Sequence, residues 1–218
     1  MNLIFDFDST LIRAEGLDIL AEICCGEDPS RIVKIRSITN KGMMGHITMQ
    51  ASLQSRLAIL HAQKKDIALL IEQLFSLISP SIEAIKDHLK TSRQNMYVLS
   101  GGFIEYVAPI CEYIGFAKEN IIANRFVYYG EEIAGFDEKI LVSQTLGKPR
   151  VIKSLNLEKP VYIVGDGYTD LEVKLEGAAN YFLAFTETIY RENVVKQADA
   201  ECKNFNEVVD FIQRHHET

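Results

Sequence analysis

Short, largely apolar runs recur along the chain at Leu3 to Phe7, Met96 to Leu99, Val161 to Val164 and Tyr181 to Phe185. The intervals between them are long enough for helical crossovers, and this alternation predicts an α/β fold around a doubly wound, mostly parallel sheet. Such a sheet is buried on both faces and exposes its crevice beyond the carboxyl ends of its strands. The residues following the runs are therefore the ones to read for chemistry. They are Asp6-Phe7-Asp8-Ser9-Thr10, Ser100-Gly101-Gly102 and Asp166-Gly167-Tyr168-Thr169-Asp170.

Side chains two apart on extended backbone face the same way, which sets Asp6 and Asp8 together at the sheet rim. Two carboxylates so placed repel unless a cation neutralises them, and Mg²⁺ prefers such oxygen ligands. Taken alone, the pentapeptide also suits a solvated turn with Thr10 capping a helix. The layout of the distant segments favours a site. Ser100-Gly101-Gly102 offers a hydroxyl, uncovered backbone NH groups and a following helix N-terminus, the parts of a phosphate cradle. Lys148, between Gly147 and Pro149 at a helix start, supplies a cation. Asp166 is placed to complete a Mg²⁺ site, with Asp170 either orienting its neighbours or adding a further ligand.

Between Ala14 and Ile78 the apolar residues keep helical spacing throughout: Leu17, Leu20 and Cys24, then Ile32, Ile35 and Ile38, then Leu53, Leu57 and Leu60, then Ile67, Leu70 and Leu74. The expected organisation is a core of residues 1–13 and 77–218 with a helical cap of residues 14–76 over the crevice. Phe126 to Phe136, with Gly130 at its turn, is expected to form a hairpin.

With 218 residues, 47% hydrophobic, the chain can bury a substantial core, and its net charge of −7 without a basic run argues against a nucleic-acid partner. Cys24, Cys25, Cys111 and Cys202 form no metal or redox motif and fit a reducing compartment. The N-terminus carries no basic leader, and no apolar run approaches the roughly 18 residues of a membrane span. A cytoplasmic protein acting on a small molecule is expected, with its oligomeric state open between monomer and homodimer.

The ordered set Asp6-Phe7-Asp8-Ser9-Thr10, Ser100, Lys148 and Gly165-Asp166-Gly167-x-Thr169-Asp170 resembles the haloacid dehalogenase superfamily of aspartate-nucleophile phosphotransferases. Within it, Ile12-Arg13-x-Glu15-Gly16-Leu17-Asp18, Gly42-Met43-x-Gly45 and Leu53-x-x-Arg56-Leu57 resemble the phosphoserine phosphatase family, as do Ala123-Asn124-Arg125 and Ala134-Gly135-Phe136-Asp137. The resemblance implies a Rossmann-like core and hydrolysis of O-phosphoserine through an aspartyl phosphate on Asp6. It implies Asp8 as general acid and base, and Mg²⁺ on Asp6, the Asp8 backbone carbonyl and Asp166. Ser100 and Lys148 would hold phosphoryl oxygens, with contacts from Ser9, Gly101 and Thr169. Glu15 and Arg56 would take the substrate ammonium and carboxylate, with Met43 and Met49 lining the pocket. Met49 stands where the family commonly has Phe, and Tyr168 where it has a small residue. Two other readings keep the strand-end Asp: hydrolysis of, or phosphoryl transfer from, another small phosphomonoester, such as phosphothreonine, and a phospho-acceptor signalling module.

Overall fold

The computed structural model describes residues 1–26, 28–89 and 95–216. Its strands are β1 (Asn2–Phe5), β2 (Met96–Phe103), β3 (Ile121–Asn124), β4 (Phe126–Tyr129), β5 (Glu132–Phe136), β6 (Val161–Gly165), β7 (Tyr181–Phe185) and β8 (Ala200–Cys202). Six of them form one parallel sheet in the order β3-β2-β1-β6-β7-β8, and β4 and β5 pair as the expected antiparallel hairpin. Side chains alternate between two cores. Phe5, Val164 and Leu183 face one side, whereas Ile4, Ile163 and Phe182 face the other.

Ten helices accompany the strands among the described residues: α1 (Gly16–Cys24), α2 (Pro29–Met43), α3 (Met49–Leu60), α4 (Lys64–Phe75), α5 (Pro80–Leu89), α6 (Ile104–Ile114), α7 (Gly147–Ser154), α8 (Tyr168–Leu175), α9 (Glu192–Val195) and α10 (Phe205–His216). Ile82 of α5, Val107 and Ile110 of α6 and Val208 of α10 join the Phe5 face; Val151 and Ile152 of α7 and Leu171 of α8 join the Ile4 face. Pro80 opens α5 where its missing NH costs nothing, as the sequence indicates.

Helices α1 to α4 leave the sheet after β1 and return before α5. The stem is zipped by backbone hydrogen bonds, Arg13 N to Leu77 O at 2.7 Å and Ser79 N to Leu11 O at 3.0 Å, and by the buried Ser79 Oγ donating to Thr10 O at 2.7 Å. Asp28 and Thr48 cap α2 and α3 by accepting from Ser30 N and Ala51 N, each at 3.2 Å. Leu20, Ile35, Leu53 and Leu70, one from each helix, are fully buried together with the Phe5-side core.

Two local features differ from the sequence expectation. The first strand stops at Phe5, one residue before Asp6, and the chain turns through Phe7–Leu11 with Ser9 in the left-handed region at φ 54°. The second strand continues past Leu99, so Ser100, Gly101 and Gly102 lie within β2 rather than in a following loop. A register shift between Leu99 and Phe103 accommodates the two glycines, which behave as a bulge.

Gly147 begins α7 where a Cβ would lie 2.2 Å from Leu141 O and 2.7 Å from Val142 O. Backbone cannot yield there as a flexible side chain would, so Gly147→Ala is predicted to lower unfolding free energy by about 1–3 kcal/mol in urea denaturation. A variant as stable as the wild type would contradict this packing.

Candidate active site

Register sets the centre of the site. Phe5 pairs with Val164, and Asp6 N donates to Val164 O at 2.9 Å, so Asp6 and Asp166 emerge side by side from adjacent central strands. Both are buried, at 3% exposure each. Lys148, from the first turn of α7, reaches between carboxylates: its Nζ lies 2.8 Å from Asp6 Oδ1 and 2.7 Å from Asp170 Oδ1. Burial alone would lower the Lys148 pKa, but the charges of Asp170 and Asp6 outweigh it and hold the ammonium protonated. Asp170 also caps its own helix by accepting from Gly167 N at 3.2 Å, so both its oxygens are engaged.

Asp8 stands apart from that ammonium. Its Oδ1 accepts from Gly16 N at 2.7 Å, at the start of α1. Burial first, and the Asp6 charge second, push its pKa up to about 7 against the opposing pull of the Gly16 NH, Arg56 and Lys148. Burial and Asp8 likewise raise Glu15 to about 8, although Ser9 Oγ donates to Glu15 Oε1 at 2.7 Å. The left-handed turn at Ser9 makes that contact possible, a strained conformation of the kind functional sites retain.

A narrow cleft opens between α1–α3 and the strand ends, lined by Asp6, Asp8, Glu15, Met43, Met49, Arg56, Gly101, Lys148 and Thr169 among others. It thus gathers most of the residues singled out in the sequence. Ser100, Asp166 and Asp170 are not in the lining. Ser100 is fully buried in β2, its Oγ accepting from Gly102 N at 2.9 Å, and Asp166, directly after β6, and Asp170, on α8, lie outside the lining. Arg56 is only 7% exposed rather than a solvated charge on a helix face. Its Nη1 is 3.4 Å from Thr39 Oγ1, which donates to Asp18 Oδ1 at 2.7 Å, so α2 and α1 back it in turn.

The two methionines touch the core through glycines. A Cβ on Gly101 would lie 2.6 Å from Met49 Cε, and one on Gly167 would lie 2.9 Å from Met43 Cε. Tyr168 packs against Gly45, where the φ of +75° and a Cβ that would lie 2.6 Å from the ring both call for glycine. Tyr168 therefore faces the α2–α3 connection.

Oxygens of Asp6, Asp166 and Asp170 lie within 4.8 Å of one another. Asp166 Oδ2 accepts from Arg191 Nε at 2.8 Å, while its Oδ1 is buried without a hydrogen-bond partner among the described residues. Burial and the charge of Glu15 push Asp166 up to about 7, with Arg191 opposing. An all-oxygen, acidic donor set with an unpaired carboxylate oxygen fits a hard divalent cation. Arg191, Thr39, Asp18 and Tyr106 belong to this neighbourhood and were not assigned roles from the sequence. Arg191 lies beyond β7 in a segment without a recognisable pattern, and Thr39 and Tyr106 fall on the buried sides of their helices.

The family model of haloacid dehalogenase-like hydrolases matches residues 3–173. The phosphoserine phosphatase of Homo sapiens is 32% identical over 213 residues, covering 96% of this chain and 92% of the human protein. The chloroplastic phosphoserine phosphatase of Arabidopsis thaliana is 30% identical, covering 95% of this chain and 70% of the plant protein. A phosphoserine phosphohydrolase-like protein from Francisella tularensis superposes with a TM-score of 0.88 at 32% identity, over 97% of this chain and 99% of that one. Sheet order, the strand-end carboxylates and these likenesses agree: the chain belongs to the haloacid dehalogenase-like hydrolases, within the phosphoserine phosphatase family.

Proposed function

We propose that the chain hydrolyses O-phosphoserine to serine and phosphate. The observation that carries this reading is one cleft lined both by Asp6 and Asp8 and by a buried Glu15 and Arg56. A carboxylate beside a carboxyl of raised pKa suits phosphoryl transfer, and an acid with a guanidinium suits the two charged groups of a free amino acid.

Asp6, with Lys148 beside it, is the nucleophile. The ammonium offsets repulsion between the attacking carboxylate and the phosphate dianion, and orients the Asp6 oxygen. As the Asp6 oxygen bonds to phosphorus, the bond to the serine oxygen breaks and Asp8 gives that oxygen its proton. Asp8, now a carboxylate, takes a proton from water as the water oxygen attacks phosphorus and frees Asp6 and inorganic phosphate. A pKa near 7 allows Asp8 to serve in both directions. Ser100, Gly101 and Thr169 hold phosphoryl oxygens, and Met43 and Met49 close over the substrate, which makes residues 14–76 a cap. Asp6, the Asp8 carbonyl and Asp166 would hold Mg²⁺, with Asp170 fixing Lys148. When bound, the ion neutralises charge on the phosphoryl oxygens. No described helix is long and apolar enough to cross a membrane, and the four free cysteines suit the cytoplasm.

Asp6→Asn is predicted to lower turnover of phosphoserine by about 10⁴-fold or more while the fold is retained; appreciable turnover by the pure variant would exclude Asp6 as nucleophile. For recognition, Arg56→Ala is predicted to raise KM for phosphoserine about 10- to 100-fold, the worth of a charged hydrogen bond. Phosphoethanolamine, which lacks the carboxylate, should be affected far less, and equal losses on both would remove Arg56 from that role.

Stability supplies a third test. Asp8 and Asp166 ionise near 7 in the fold against an ordinary 3.8, so the folded state binds more protons between those values. Stability of the metal-free protein therefore falls as pH rises through that window. Its Tm is predicted to decrease from about pH 5 to about pH 8, and Mg²⁺ to raise Tm more at the higher pH. A metal-free Tm that rises across the window, or Mg²⁺ stabilisation independent of pH, would contradict the buried acidic cluster.

A further inference from the structure

Tyr106 lies on α6 among Val107, Ile110 and Cys111, fully buried, yet it lines the cleft. Its hydroxyl completes no hydrogen bond with any described residue. Burying an unpaired hydroxyl destabilises a fold, and phenylalanine would fill the same space without that cost. The hydroxyl also restricts its neighbours: a Cβ on Gly102 would lie 2.6 Å from it, and a Cβ on Gly16 would lie 3.0 Å from it. The same point above Gly102 is 3.2 Å from Asp8 Oδ2, which puts the hydroxyl on the Asp8 side of the cleft.

The nearby protein acceptors do not take this proton. Asp8 Oδ1 accepts from Gly16 N and Glu15 Oε1 accepts from Ser9 Oγ, and neither carboxyl bonds to Tyr106. Burial, with the charge of Asp8 next, holds the phenol well above its usual pKa, so it remains a donor throughout the working range. Arg56 also acts on the hydroxyl electrostatically and lines the same cleft. A neutral donor and a guanidinium that face one space together suit an anionic acceptor with two oxygens.

We infer that Tyr106 is a specificity-determining residue whose hydroxyl, together with Arg56, binds the carboxylate of the substrate. The inference rests on the phosphoserine reading above. It makes Tyr106 a donor kept unpaired in the free protein so that an amino-acid phosphate satisfies it.

The test is Tyr106→Phe, which removes one oxygen, with steady-state kinetics on phosphoserine and phosphoethanolamine and a melting curve of the ligand-free protein. The ratio of kcat/KM for phosphoserine over phosphoethanolamine is expected to fall about tenfold, chiefly through KM for phosphoserine, the loss of one hydrogen bond to a charged group. The Tm is expected to equal or exceed that of the wild type. An unchanged substrate ratio would overturn the inference, because the hydroxyl would then not read the carboxylate. A lowered Tm would overturn it by revealing a partner within the fold. If wild-type protein turns over phosphoethanolamine but not phosphoserine, the underlying reading falls, a result distinct from failure of the Tyr106 variant alone.

Discussion

The ammonium of Lys148 between Asp6 and Asp170 is the contact on which the rest of the site depends. Central parallel strands β1 and β6 deliver Asp6 and Asp166 to the carboxyl end of the sheet, α8 adds Asp170, and the turn after β1 adds Asp8. In a buried setting these carboxyls repel strongly, because little water screens them. Lys148 offsets part of that repulsion where Asp6 and Asp170 meet. Arg191 offsets another part at Asp166. Even so, burial and mutual repulsion push Asp8, held by the Gly16 NH, and Asp166 up to about 7, and Asp170 up to about 8.

On the phosphoserine reading, the insertion α1–α4 would add selectivity to this charge arrangement. Its stem closes with Ser79 Oγ on Thr10 O, only a few residues from Asp8, so the insertion is tied directly to the turn after β1. Glu15 precedes α1 and Arg56 projects from α3, with Thr39 and Asp18 behind the guanidinium. The contacts of Met43, Met49 and Gly45 with core glycines and Tyr168 bring the insertion down onto the strand ends. Residues of the insertion and of the strand ends thus share one cleft, which the proposed reading divides between specificity and chemistry.

Much of this was legible in the sequence because strand ends announce themselves. An apolar run followed by Asp or Ser locates Asp6, Ser100 and Asp166 without further information, and helical spacing locates the insertion. Short edge strands were less visible: β3 spans only Ile121–Asn124 and β8 only Ala200–Cys202, too few residues for alternation to register. Ser100-Gly101-Gly102 reads as a loop because glycine disfavours strands, whereas the parallel neighbours hold it in β2 as a bulge. Tyr106 was hidden for another reason. It falls on the buried stripe of α6 with Val107, Ile110 and Ile114, and periodicity cannot tell a tyrosine that only fills the core from one that also lines a cleft. Arg191 has no periodic context at all; only folding brings it to Asp166.

The account centres on Asp6 as the atom donor to phosphorus. Rapid acid quench of the protein during turnover of O-phosphoserine with Mg²⁺, followed by peptide mass spectrometry, tests it most directly. The account predicts a phosphoryl adduct on the peptide carrying Asp6, formed and lost at rates compatible with turnover. Turnover with no such adduct, or an adduct on another residue, would contradict it.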